Sequence, residues 1–208
     1  MTAIDYISGM EHGVIPFLGS GKQGKSCALH TIADICFHDR EKVLLEPSED
    51  LDVSAFRGYG KVSSLDEIPV GSVAVIEDVA RTFTSRGSAS KALLQEFVGI
   101  ISHKDIVIMM SVQSMADVDV AFLRSQNVVY CHKFMHPSDI GFERPELKSQ
   151  QTFANLRITE AAEAHPDIDF RAFAYFPKFD EIVALPVVPW WSYDCSHFLR
   201  EVDLCLKK

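Results

Sequence analysis

Residues Gly19–Ser26 read GSGKQGKS, and this short segment constrains the fold more than any other stretch of the chain. It satisfies G-x-x-x-x-G-K-[ST] at every fixed position. The apolar run Gly13–Leu18 (GVIPFL) precedes it, and Leu29, Ile32, Ala33 and Cys36 follow at the spacing of one buried helix face. A strand, a glycine turn and a helix in that order make a phosphate-binding loop. Gly19, Gly21 and Gly24 let the backbone curl until several N–H groups point at one centre, at the positive end of the following helix. Gly19, Ser20, Gly21, Lys22, Gln23, Gly24, Lys25, Ser26 and Cys27 are therefore the expected phosphate contacts. Within them, Lys25 is expected to bridge the β- and γ-phosphates and the Ser26 hydroxyl to bind Mg²⁺.

Such a loop needs a second metal-binding carboxylate at the end of a neighbouring buried strand. Val73–Asp78 (VAVIED) supplies it, with four apolar residues followed by two acids. By position Glu77 completes the Mg²⁺ shell and Asp78 polarises the attacking water. The commoner order of such pairs is Asp then Glu, so the division of labour between these two stays open. The next apolar run, Asp105–Val112 (DIVIMMSV), leads into Gln113, where a side chain can contact the γ-phosphate or the lytic water. A polar residue placed there is the sensor expected of P-loop proteins that insert an additional strand into the sheet, an arrangement that kinases and GTPases lack.

Short apolar runs alternate with helical stretches along the chain, so the expected class is α/β with a mainly parallel central sheet flanked by helices. Lys42–Leu45, Ser72–Ile76 and Asn127–Tyr130 are further predicted strands, and Ser88–Ser102 is a predicted helix. Beyond about Pro145 the character changes to a predicted helix over Thr152–Ala164, then a hairpin of Arg171–Phe176 and Glu181–Leu185. At 208 residues the chain suits a single domain. We expect a nucleotide-binding core over 1–145 and a C-terminal extension over 146–208 packed on it.

Composition narrows the function from outside. Apolar residues make up 47% and charged residues 24%, as in ordinary globular proteins. No apolar run nears membrane-spanning length, and the acidic N-terminus lacks the basic start of a signal peptide, which predicts a soluble intracellular chain. The five cysteines are scattered with no C-x-x-C pair, so neither a disulfide framework nor a zinc ribbon is expected. Cys131-His132 with His136 lacks a fourth ligand and reads as surface groups after an edge strand. The net charge of −9 is the wrong sign for coating nucleic acid by bulk attraction. Contact with DNA would need a local basic surface or a ring that focuses basic side chains inward; Lys42, Arg57, Lys61, Arg86, Lys91 and Lys104 are the scattered candidates. Trp190 and Trp191 suit a packing anchor for the C-terminal tail, or an interface with a neighbouring subunit or capsid, better than a stacking platform for bases.

Together, GSGKQGKS at 19–26, VAVIEDVARTFTSR at 73–86, DIVIMMSVQSMADVDVAFLRSQNVVY at 105–130 and LPVVPWWS at 185–192 resemble the FtsK/HerA superfamily of DNA-translocating ATPases. Within it they look most like the genome-packaging ATPases of membrane-containing double-stranded DNA viruses, of the poxvirus-type and double-jelly-roll lineage. The resemblance implies ATP and Mg²⁺ as cofactors. It also implies a homo-oligomeric ring, commonly a hexamer, that pumps double-stranded DNA into a preformed capsid and docks on capsid vertex proteins. Its setting would be the cytoplasm of an infected host cell, or the virion at a packaging vertex. By the same resemblance Lys25 and Ser26 serve nucleotide and metal, Glu77 and Asp78 match the Walker B pair, and Gln113 matches the sensor. An arginine finger acting across subunits is implied too, with Arg86 favoured over Arg81 and Arg124. The reversed Glu-Asp order departs from the family's commoner pattern. Two other readings compete: a nucleotide-gated assembly or secretion ATPase, and a small-molecule P-loop kinase.

Overall fold

The computed structural model describes residues 1–48, 51–79, 101–115 and 127–197. Its centre is a sheet of eight strands: β1 (Gly13–Leu18), β2 (Lys42–Leu45), β3 (Tyr59–Val62), β4 (Val73–Ile76), β5 (Val107–Val112), β6 (Cys131–His132), β7 (Phe173–Phe176) and β8 (Glu181–Ala184). The spatial order is β3-β2-β4-β5-β1-β6-β7-β8. Strands β1 to β6 run parallel, and the β7–β8 hairpin joins β6 antiparallel. The hairpin thus lengthens the sheet at one edge. Strand β5 lies between β1 and β4, which is the additional-strand arrangement anticipated from the Gln113 segment.

Both faces of the central strands are covered, which is why they read as unbroken apolar runs. Side chains alternate between two cores with the period of two that a pleated strand imposes. Ile15 and Phe17 of β1, Val73 and Val75 of β4, and Val107 and Met109 of β5 enter one core. It also contains α1 (Ala3–Ser8), α2 (Lys25–Cys36) and Cys195 of α5 (Tyr193–His197). Val14, Leu18, Ala74, Ile76, Ile108 and Met110 enter the other. That core continues through Met115, Met135 and Leu147, the last on α4 (Pro145–Ala164). The short α3 (Pro137–Ile140) bridges β6 and α4.

Two elements differ from the sequence-based expectation. Asn127–Tyr130 forms only one bridge, Val14 to Val128, and the strand beside β1 resumes at Cys131–His132. Pro16 explains the break. The Val14 N–H points to this neighbour, donating to the Asn127 carbonyl, so position 16 faces the same way. Proline has no N–H to offer there, and the ladder lapses until Phe17 pairs with Cys131. Helix α4 begins at Pro145, seven residues before Thr152, because a proline is well suited to a first helical position. Strand β3 was not anticipated, and the predicted helix over Ser88–Ser102 lies almost wholly outside the described residues.

Candidate functional site

The glycine loop after β1 carries the left-handed backbone its sequence suggests. Gly24 sits at φ 75° as the residue that caps α2, and Lys22 has φ 63°. A side chain at Gly24 would also bring a Cβ within 2.9 Å of the Arg171 carbonyl oxygen, so glycine is required there by space as well as by conformation. Lys25 folds back into the loop, and its ammonium donates to the carbonyls of Gly19 and Ser20, each at 2.8 Å. Burial lowers its pKa to about 8, against the pull of Glu77, Asp78 and Asp139.

Ser20 is the loop residue turned most firmly away. Its N–H donates to the Phe134 carbonyl at 3.1 Å and its hydroxyl donates to Asp139, while the His136 N–H donates to that hydroxyl at 2.7 Å. Neither donor of Ser20 faces the cleft, and its part there is the carbonyl that holds Lys25. The loop is thereby tied to the segment after β6 and to α3.

At the end of β4, Glu77 is buried and nearly saturated with partners. The hydroxyls of Ser26 and Ser111 donate to Oε2, at 2.7 and 2.9 Å, and the His30 ring nitrogen Nε2 lies 3.1 Å from Oε1. Burial opposes the charge on Glu77. The hydrogen bond and charge of His30 and the two serine hydroxyls outweigh burial and keep the carboxyl below the usual glutamate range. Ser111 also accepts from the Asp78 N–H at 3.0 Å, so one hydroxyl on the inserted strand orients both acids. Asp78, at φ 52°, and the exposed Gln113 line the same cleft as Lys25, Ser26 and Cys27. That cleft has a volume of about 700 Å³. The hard oxygens of Ser26 and Glu77, 2.7 Å apart beside the loop lysine, are a donor set that suits Mg²⁺.

Behind the acids, His30 is held in an aromatic box. The rings of Phe56, Tyr59, Trp190 and Trp191 have their centres 4.9 to 5.5 Å from the imidazole. Trp190 Nε1 donates to Asp34 at 2.7 Å and the Thr31 hydroxyl donates to the Pro186 carbonyl at 2.8 Å, so the C-terminal tail is bound along α2. The tryptophan pair is thus a packing anchor.

Several contributors carry no motif: Ser111, His30, Asp139, Lys133 and Arg171. Lys133 follows β6 and is 1% exposed, yet lines the cleft. Its position at the carboxyl end of a parallel strand, where such sheets bind ligands, was the available signal. His132 corrects an expectation. It is wholly buried, because the hairpin covers β6, and its Nδ1 lies 2.6 Å from Gln151 Oε1; burial pushes its pKa down to about 4. Of the scattered basic residues, Lys42 pairs with Asp34 at 3.6 Å and Lys61 donates to the carbonyls of Ser48 and Leu51. Arg81, Arg86, Lys91 and Arg124 lie outside the described residues.

Neither a protein-family model nor a curated protein matches the sequence. Solved structures do. The DNA-packaging ATPase B204 of Sulfolobus turreted icosahedral virus superposes with a TM-score of 0.50 at 13% identity, covering 86% of this chain and 98% of its own. The genome-packaging NTPase B204 of Sulfolobus turreted icosahedral virus 2 matches at the same identity and with 86% of this chain covered. Its sulfate complex has a TM-score of 0.52 over 98% of its chain, and its AMPPCP complex 0.50 over 100%. At this identity the likeness is one of fold: the chain has the α/β P-loop ATPase fold of these packaging enzymes.

Proposed function

We propose that the chain is an ATP-hydrolysing DNA translocase that packages a double-stranded viral genome into a preformed capsid. The observation that carries this reading is the Ser26–Glu77–Ser111 cluster. It joins the loop helix to the acid strand across the inserted strand β5, beside the buried Lys25. The sheet order, with β5 between β1 and β4, disfavours a small-molecule kinase. The B204 structures, one of them with AMPPCP bound, support nucleotide use and give the packaging role its precedent.

In this reading the N–H groups at the start of α2 and the Lys25 ammonium hold the terminal phosphates. Ser26 and Glu77 would hold Mg²⁺, which when bound neutralises charge developing on the phosphates. Glu77 takes that role because its carboxylate already lies against Ser26. Asp78, oriented through its backbone by Ser111, accepts a proton from the attacking water, and Gln113 senses the terminal phosphate. Cys27, Lys22 and Gln23 complete the loop's contacts. The charge left on the leaving phosphates calls for a further cation, supplied in trans by Arg86 of a neighbouring subunit in a hexameric ring. The ring's bore would take duplex DNA, and its outer face would dock at a capsid vertex.

The test is steady-state ATP hydrolysis with and without long duplex DNA, across protein concentration, with Lys25→Ala as the blank. Turnover that rises with both DNA and concentration is expected. Turnover that ignores both would overturn the motor reading in favour of a self-contained nucleotide site.

A further inference from the structure

The cleft contains a second buried lysine that the loop motif does not account for. Lys133 is 1% exposed, and among the described residues its ammonium has one hydrogen-bond acceptor, the Arg171 carbonyl at 2.6 Å. An ammonium carries three donors, and a buried cation left short of partners is unfavourable unless an anion completes its shell. Lys25, in contrast, has two carbonyls and feels the charges of Glu77, Asp78 and Asp139. The groups acting on Lys133 are entirely different: Cys131, Cys27 and Asp169. Lys133 lies against the same loop: its Cβ stands 2.8 Å from where a Cβ on Gly19 would be, and its Arg171 acceptor 2.9 Å from where one on Gly24 would be. Cys27, the second residue after the loop lysine, is near enough to feel the Lys133 charge, and Leu185, Val187 and Trp191 line the same cleft.

From this arrangement, and resting on the nucleotide reading above, we infer that Lys133 is a second phosphate-binding lysine, which takes the α-phosphate at the nucleoside end of the nucleotide. The terminal phosphates belong to Lys25 because the acids Glu77 and Asp78 stand beside it. The chain must then run toward Cys27, where the only further buried ammonium among the described residues waits. Leu185, Val187 and Trp191 give the cleft an apolar part that suits a nucleobase. Lys133 contributes to holding the nucleotide and not to the chemical step, since no acid of the hydrolytic cluster is among its neighbours.

The experiment is calorimetric titration of AMP, ADP and ATP, in EDTA, into the wild-type chain, Lys133→Met and Lys25→Met. A contact with the α-phosphate is common to all three nucleotides, so Lys133→Met should weaken each by a similar factor, about 10- to 100-fold for a charge-assisted contact. Lys25→Met should weaken ATP far more than AMP. Turnover of Lys133→Met at saturating ATP and Mg²⁺ should stay within about threefold of wild type, the mark of lost ground-state binding. Lys133→Gln, which keeps a donor for the Arg171 carbonyl, should show the same pattern and serves if the methionine variant does not fold. Unchanged AMP affinity in a folded Lys133 variant overturns the inference alone. A wild-type chain that binds none of the three nucleotides overturns it together with the nucleotide reading.

Discussion

The cleft holds two buried lysines whose surroundings are built in different ways. Lys25 stands on the loop that binds it, and its two carbonyl partners are five and six residues away in sequence. Lys133 leaves one strand and donates to a turn before another, with residue 171 as its partner. Local sequence encodes the first arrangement, so a motif finds it. Tertiary packing creates the second, and no motif marks it.

Substitutions can break this contrast, and the largest effect belongs to the motif lysine. Lys25→Ala should lower ATP turnover by about 100-fold or more, as loss of a preorganised cationic donor does. Steady-state phosphate release is the measurement, and residual turnover near wild type would remove Lys25 from the chemistry. The acids come next. Glu77→Gln and Asp78→Asn should each leave nucleotide binding in EDTA intact while cutting turnover; Asp78→Asn should trap ATP unhydrolysed in a filter or quench-flow assay. Unchanged turnover in Asp78→Asn would pass the proton-accepting role to Glu77.

Lys133 gives a subtler signal, in stability against pH. Its pKa of about 8 in the folded chain lies below the 10.5 of a free lysine, because burial penalises the charged form. The unfolded chain therefore binds more protons between those values, and stability rises with pH across that window. Below pH 8 the full cost of the buried ammonium is present. Lys133→Met without nucleotide should thus melt at a higher temperature than wild type at pH 7, with the gain shrinking between pH 8 and 10.5. Burial raises the facing thiols of Cys27 and Cys131, the latter to about 12, which by itself makes stability fall with pH above about 9; that contribution is common to wild type and Lys133→Met and cancels in their difference, while Asp169 and Arg171 hold each other charged. A flat difference in thermal midpoint across that range would show the amine to be less isolated than its geometry implies. The smallest effect is expected at Trp190→Phe, which loses the bond to Asp34. About 1 kcal/mol of stability should go, or roughly 2–4 °C in thermal midpoint by calorimetry, with turnover little changed.

The same division explains what could be read in advance. Strands β1 and β2 matched their predicted bounds, and the hairpin of β7 and β8 matched in kind, because each is an apolar run stopped by a local signal. The strand expected at Asn127–Tyr130 failed for a reason located in a different strand, at Pro16. Helix α4 was recognised at its end and missed at its beginning. Within the site, Glu77 announced itself by its place after VAVI. Ser111 and His30, which touch the same carboxylate, did not, since a serine in a strand and a histidine in a helix carry no signal until folding brings them together.

The aromatic box around His30 has a practical outcome in optics. It contains both tryptophans of the chain, so every indole photon the protein emits originates beside an imidazole that lies 3.1 Å from Glu77. Trp191 also borders the cleft itself. The protein therefore carries an unlabelled fluorophore pair next to its acids, with no distant tryptophan to dilute the change when the cleft fills. Emission intensity and anisotropy then become direct clocks for binding and release, readable in a stopped-flow cell on the unmodified chain.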